Sequence, residues 1–396
     1  MTAPAQARVV AALGTAQTLA WASSYYLPAM LAAPIARDLG VAVPTVFAAF
    51  SAALLVSALL GPLAGRTIDR WGGRPVLMST SLVFALGLVA LGLSHGIVGL
   101  FAAWAVLGVG MASGLYEAAF AALVRIYGRD SRNAITGITL IAGFASTVGW
   151  PLSSLLEAHF GWRNACFAWA ALHLLLGLPL NASLPRVARK HPDVPSPSAP
   201  IDVNEPAAPA APTSAAPILA VVFAITWFIS TAMAAHLPRL LQLGGASLAA
   251  AVAIGALVGP AQVGGRLLEF GLLRRLHPLL SARLAALMHP IGAAVLALFG
   301  APAAAAFALL HGAGNGILTI AKGTLPLVLF GPQGYGERQG LLMVPARIAQ
   351  ALAPWVFGVC LDRWGVGALG LSGALGLVAF GALMLLPKQS NPPRHA

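Results

Sequence analysis

Charge is what this sequence lacks. Asp, Glu, Lys and Arg make up 9% of its 396 residues, and only 11 residues are acidic. Soluble domains carry about a quarter charged residues. A water-facing surface cannot be assembled from so few, so most of the surface faces lipid. Cysteine is scarce as well. Cys166 and Cys360 lie far apart inside apolar runs, which excludes a disulfide framework and a cysteine metal site. No Gly-rich phosphate loop ending in Lys-Ser/Thr is present, so ATP hydrolysis within this chain is excluded as an energy source. No nucleophile–base arrangement is visible, and neither an enzyme nor a cofactor is expected. The first apolar run reads as a retained helix rather than a cleaved leader.

What is there is hydrophobicity. The chain is 59% hydrophobic, with mean hydropathy +0.84. Runs of about 20 apolar residues cross the hydrocarbon core as helices, which satisfy their own backbone hydrogen bonds there. Twelve such runs can be read: 11–33, 43–65, 75–94, 97–124, 134–157, 163–184, 217–238, 246–266, 281–300, 302–330, 340–361 and 367–387. The 43 glycines and 29 prolines suit a membrane bundle, where small residues let helices pack closely.

The net charge of +12 is unevenly placed. Basic residues cluster in alternate loops: Arg66, Arg70 and Arg74; Arg125, Arg129 and Arg132; Arg186, Arg189 and Lys190; Arg274 and Arg275; then Arg338, Lys388 and Arg394. The other loops hold Arg37, Arg163, Arg239 and Arg363. This positive-inside pattern places both termini and the central segment in the cytoplasm of a multi-pass plasma (inner) membrane protein. It argues for the lipid bilayer, and against nucleic acid, as the partner.

The stretch 183–217 breaks the hydrophobic pattern with basic residues and a Pro/Ala/Ser-rich run, and reads as a flexible linker. The expected organisation is an N-terminal six-helix bundle (1–184), a cytoplasmic linker (185–216) and a C-terminal six-helix bundle (217–396). The halves echo each other. Gly65-Arg66…Asp69 matches Gly265-Arg266…Glu269, Pro151 matches Pro354 and Gly161 matches Gly365. A charged hinge between two apolar runs, Gly65 to Arg74, repeated once per half, points to a duplicated membrane transporter. Repeat-built transporters bind substrate between their halves near the midplane.

On these residues the chain resembles the major facilitator superfamily over nearly its full length. Gly65, Asp69, Arg70, Gly72 and Arg74 resemble the family's G-x-x-x-D-R-x-G-R-[RK] loop, with Gly73 where a basic residue is usual. Gly161-Trp162-Arg163…Phe167 resembles the frequent G-W-R-x-x-F turn. Two departures argue against a drug/proton antiporter. Trp104 stands where an Arg often precedes the glycines Gly108 and Gly110, and Gly143…Gly149-Trp150-Pro151 lacks the usual terminal glycine pair. The resemblance implies an all-α integral membrane fold of twelve helices in two pseudo-repeat bundles, working as a monomer on a small-molecule substrate.

An ionisable side chain within a membrane span is costly unless it faces the interior or a wet cavity. Glu117, Lys322 and Arg347 meet this description. The resemblance places Glu117 and Lys322 on cavity helices of opposite halves. Lys322 would attract an anionic substrate group, and Glu117 would take up and release a proton. The bland alternative is a structural Glu117–Lys322 pair. Arg347 would clamp a carboxylate or phosphate, or else snorkel near a helix end. Tyr25 and Tyr26 are candidates for substrate contact or for an interfacial belt. Trp227 and His236 are further candidates. His311, Asn315 and Thr319 form a polar stripe at i, i+4, i+8, with Lys322 close to it. Gln262 is a substrate contact or a packing hydrogen bond. The lone His173 and His289 read as locally satisfied.

The hinge has its own expected role. A carboxylate is favourable at a helix N-terminus, and in the family this acid meets the start of span 11 when the transporter faces outward. Asp69 is therefore expected near Gly340, and Glu269 near Ala134 by the repeat. Arg266 belongs to the second hinge. Arg66, Arg70 and Arg74 are expected to pair with inner carboxylates. The expected function is secondary active transport of a small organic anion or metabolite by alternating access, with proton coupling through Glu117. The alternatives are a drug or toxic-compound efflux pump, a non-transporting membrane sensor, and a membrane enzyme without visible catalytic residues.

Overall fold

The structure, a computed structural model, describes residues 3–187, 214–273 and 276–386. The central linker therefore lies almost wholly outside the described residues, as do Arg189, Lys190, Arg274, Arg275, Lys388 and Arg394. The described chain is helical and contains no strand. Its helices are α1 (Ala3–Ser23), α2 (Leu27–Leu39), α3 (Val43–Trp71), α4 (Gly73–Gly92), α5 (Ile97–Gly114), α6 (Tyr116–Tyr127), α7 (Arg132–Ala142), α8 (Ala145–Leu172) and α9 (Leu178–Ala182). After the linker follow α10 (Ala215–Leu243), α11 (Leu248–Ala256), α12 (Val258–Gly271), α13 (Pro278–Phe299), α14 (Ala304–Phe330), α15 (Tyr335–Trp364) and α16 (Ala368–Met384).

Most apolar runs lie on one helix or on a broken pair, and the run 163–184 spreads over the end of α8, the helical segment His173–Gly177 and α9. Among the described residues, seven helical stretches are long and apolar enough to cross a membrane, and those at Ile97–Ala182 and Tyr335–Met384 each contain more than one run. The breaks have local causes. Between α1 and α2, the hydroxyls of Ser23 and Ser24 donate to the carbonyls of Leu19 and Ala20, a back-bonding that bends helices. Pro28, in the first turn of α2, has no amide to continue the ladder. Between α5 and α6, Leu115 is extended (φ −87°, ψ −168°). Gly161 within α8 and Gly365 after α15 take φ of 78° and 56°. These two repeat-related glycines turn the chain in a region L-residues rarely adopt.

The charged hinge is shorter than the sequence suggested. Helix α3 continues through Gly65, Asp69 and Arg70 to Trp71, and α4 starts at Gly73. No turn interrupts the helix between Gly65 and Trp71, and Gly72 alone makes the turn, at φ 85°.

Side chains of 9–184 form one buried cluster, joined by Leu327 and Tyr335. Separate clusters form within 215–386. The two stretches meet where α3 packs on α15, α7 on α12, and α6 on α14 and α15. Large apolar side chains on the outside, such as Val98 (80% exposed) and Leu298 (77%), face acyl chains in a bilayer.

Candidate functional site

Glu117 stands in the first turn of α6, just past the break at Leu115. Arg347, on α15, reaches it with one guanidinium nitrogen at 3.0 and 2.9 Å from the two carboxylate oxygens. The arginine is 3% exposed and the glutamate 17%, so Arg347 does not snorkel. Its other terminal nitrogen donates to Gln350 Oε1 at 2.9 Å, and Gln350 Nε2 donates to the Tyr25 hydroxyl at 3.0 Å. A polar chain thus runs from α6 through α15 to the turn after α1.

Lys322, on α14, does not take the Glu117 carboxylate. Its ammonium lies 4.2 Å from the centre of the Trp227 ring, and the Arg347 guanidinium lies 5.4 Å from the same ring. Two cations therefore share one indole face region, a favourable arrangement for each cation with the ring and an unfavourable one between the cations. Among the described residues Lys322 makes no ion pair within 4.0 Å. Trp227 stacks on Trp21 at 6.4 Å and 7°. Trp21 in turn contacts Tyr25, Tyr26 and Tyr116. The cluster is thus one carboxylate and two cations walled by aromatic rings from α1, α6 and α10.

Other candidates fall elsewhere. His311 pairs with His289, Nδ1 to Nδ1 at 3.0 Å, and with Asn315 lines a small cavity of about 20 Å³ beside Thr226 and Gly376. His311 and Lys322 share a face of α14, but eleven residues separate them by roughly 16 Å along the axis. At the height of His311 the neighbour is α13, not Trp227. The Thr319 hydroxyl donates to the Asn315 carbonyl. Gln262 accepts from Arg266 at 3.5 Å, one turn away on α12. His236 contacts the Pro354 carbonyl at 2.7 Å. His173 contacts Ser23 Oγ at 2.7 Å.

The two hinge acids sit at helix starts. Asp69 accepts from the amides of Gly336 (3.0 Å) and Glu337 (2.9 Å) at the head of α15, one turn before the expected Gly340. Arg66 pairs with Glu337 in the same place. Gly65 makes the approach possible, because a Cβ there would run into the Gly336 carbonyl. Glu269 pairs with Arg132, the first residue of α7, at 2.7 Å, two residues before the expected Ala134. Arg266 donates to the Thr139 carbonyl at 3.2 Å. Arg70 and Arg74 make no ion pair among the described residues, because both lie at the turn beyond the α3–α15 contact. Trp162 and Arg163 bind Asp38 at 3.2 and 2.7 Å, and Arg163 also takes the Gly92 and Ser94 carbonyls ending α4.

The sequence reading missed Gln350, Trp21, Tyr116 and Glu337. Gln350 was readable in principle: it stands three residues after Arg347, a spacing that puts both on one helix face. Trp21 and Tyr116 carried no signal beyond apolar periodicity.

A family model described as Major Facilitator Superfamily matches residues 13–332. The chain is 31% identical over 116 residues to the multidrug resistance protein fnx1 of Schizosaccharomyces pombe, a match spanning 29% of this chain and 22% of that protein. The chain superposes on the human organic anion transporter MFSD10 (TETRAN) with TM-score 0.72 at 18% identity, covering 96% of this chain and 99% of that one. It superposes on FucP in the outward conformation with TM-score 0.74 at 15% identity, over 97% and 99%. With the proton:xylose symporter XylE the values are 0.73 and 12%, over 96% and 95%. These three likenesses establish the fold.

Proposed function

The chain belongs to the Major Facilitator Superfamily and is a multi-pass membrane transporter, not an enzyme, and on that premise we propose that it moves a small organic anion by alternating access, coupled to a proton on Glu117. The observation that carries the reading is Lys322. It is buried, rests on an indole ring and has no carboxylate within 4.0 Å among the described residues. A buried ammonium without a counter-ion is costly, and a substrate carboxylate placed between Lys322 and Arg347 supplies one.

Proton coupling follows from competition for Arg347. While Glu117 is ionised it holds the guanidinium through both oxygens. Protonating Glu117 removes that claim and frees Arg347 for the substrate. Anion and proton then enter together, and loss of the proton restores the Arg347–Glu117 pair and weakens the anion's hold. The rings of Trp21, Trp227 and Tyr25 suit a cargo with an apolar or aromatic body.

In this reading Asp69 and Glu269 latch the cytoplasmic ends of the two halves, 1–184 and 217–396, about the linker. The latched arrangement corresponds to the state closed to the cytoplasm, in a plasma-membrane monomer with both termini in the cytoplasm. A second reading, export of a toxic compound, is favoured by the likeness to a protein named for multidrug resistance, though that likeness spans a small part of both chains.

The test is uptake of a panel of organic anions into proteoliposomes, with and without an inward proton gradient. Lys322→Ala should abolish anion uptake. Glu117→Gln should remove acceleration by the gradient while leaving anion exchange. Unchanged uptake by Lys322→Ala sinks the anion site, and undiminished gradient-driven accumulation by Glu117→Gln sinks the proton role.

A further inference from the structure

The first half of the bundle encloses a cavity of about 10 Å³ between α1, α4, the end of α5 and the segment 173–181. Its two side-chain amides are turned the same way, each spending its N–H group on a neighbouring carbonyl. Gln17 Nε2 donates to the Gly114 carbonyl at 2.6 Å, and Asn181 Nδ2 donates to the Leu77 carbonyl at 3.1 Å and to Ser81 Oγ at 3.0 Å. A carbonyl can only accept, so these partners fix both amide orientations. The atoms left over are Gln17 Oε1 and Asn181 Oδ1, both buried and without a hydrogen-bond partner among the described residues. The residues themselves are 1% and 7% exposed.

His173 adds a third acceptor. The Ser23 hydroxyl donates to the Leu19 carbonyl at 2.8 Å, so His173 Nε2 is the donor in its 2.7 Å contact with Ser23 Oγ. The other ring nitrogen, Nδ1, is then a lone-pair acceptor. It faces Gly177, where an added Cβ would lie 3.4 Å from it and 3.6 Å from Ser81 Oγ. As a donor the Ser81 hydroxyl makes only a 3.3 Å bond, to a Leu77 carbonyl that Asn181 already uses, so it can turn inward.

We infer that this cavity is a binding site for a single water molecule. Water supplies two donors for the three waiting acceptors and accepts from Ser81. The volume matches the roughly 10–15 Å³ that one buried water needs. A bare cation of similar size would satisfy the acceptors too, but no carboxylate lines the cavity to offset its charge. The water joins α1, α4 and the 173–181 segment. Through Gln17 it also holds the Gly114 carbonyl at the helix break that precedes Glu117. The second half has a counterpart: the cavity beside His289 and His311 is lined by Gly314 and Gly376, some 200 residues beyond Gly114 and Gly177, and buried His289 Nε2 there also has no hydrogen-bond partner among the described residues.

The experiment is X-ray radiolytic footprinting of the full chain in nanodiscs, read by mass spectrometry. Radicals form from bound water, so buried side chains beside it are labelled quickly. Phe84 lines the cavity, whereas Phe120 and Phe223 are equally buried away from it. Phe84 should label several-fold faster than either, and Gly177→Ala, which places a methyl in the cavity, should bring it down to their rate. The same variant should melt at a lower temperature, because it strands the acceptors. Equal labelling of the three phenylalanines, or a Gly177→Ala protein that melts higher as a filled void would, overturns the proposal. So does a melting temperature that differs between sodium and choline chloride at equal ionic strength, which would make the occupant an ion.

Discussion

The two hinge acids occupy matching places in the repeat yet hold different things. Asp69 grips backbone: two amides at the head of α15. Glu269 grips a side chain, Arg132. The difference lies in how the partner helix begins. Gly334, at φ 61°, starts α15 abruptly, so the amides of Gly336 and Glu337 are left for Asp69 and the positive dipole end is open. The residues before α7 already form a helical turn, Gly128–Ser131, so no such face is presented and a guanidinium takes its place. Exposure differs too. Arg66 and Glu337, which flank Asp69, are 49% and 36% exposed; Arg132 and Glu269 are 21% and 3%. One latch is a cap with a solvated ion pair beside it, and the other is a largely buried ion pair.

This contrast can be broken by substitution. The largest effect should come from Arg132→Ala, which leaves the buried Glu269 carboxylate without its cation. Breaking a buried pair in this way costs about 3 kcal/mol or more, visible as a large drop in melting temperature in detergent. A melting curve that hardly moves would mean that the second latch is not the buried pair described.

Next come the two glycines. A Cβ on Gly65 would meet Gly336 on α15, and one on Gly265 would meet Ala313 on α14. Overpacking of this kind costs about 1–3 kcal/mol. Gly65→Ala opposes the joining of α3 to α15, so it should raise deuterium labelling of the Gly336 and Glu337 amides that Asp69 holds and slow transport. Gly265→Ala strains a contact between α12 and α14, so it should lower the melting temperature with less effect on labelling. The same outcome for both would erase the distinction.

Asp69→Asn keeps an acceptor but removes the charge at a helix N-terminus. That interaction is worth up to about 1 kcal/mol, so turnover should slow by about fivefold with substrate affinity retained. Arg66→Ala should have the smallest effect, because an exposed ion pair adds little and salt screens it. A strong, salt-insensitive loss of transport in this variant would reverse the ranking of the two latches.

Much of this was legible along the chain. The apolar runs are helices because a chain with 9% charged residues must satisfy its backbone internally in lipid. Glu117, Lys322 and Arg347 stood out because charge is rare among them. What periodicity could not supply was pairing. Lys322 and Glu117 were the natural partners by repeat position, yet Arg347 holds the carboxylate and Lys322 lies on Trp227. His311 shares a helix face with Lys322 but meets His289 instead, since height along a helix selects its neighbours. The hinge read as a loop because it is charged, while α3 runs through it to Gly72.

The sequence by itself determined that this is a helical membrane protein of duplicated plan, and which few residues could carry charge inside it. Hydrophobicity and repeat are properties of order along the chain, and they survive without coordinates. The tertiary structure decided which acid holds which cation, where helices break, and that one latch is made of backbone and the other of side chains. Those choices depend on distances of about 3 Å between residues hundreds of positions apart, set by helix crossing and height, which no local pattern records.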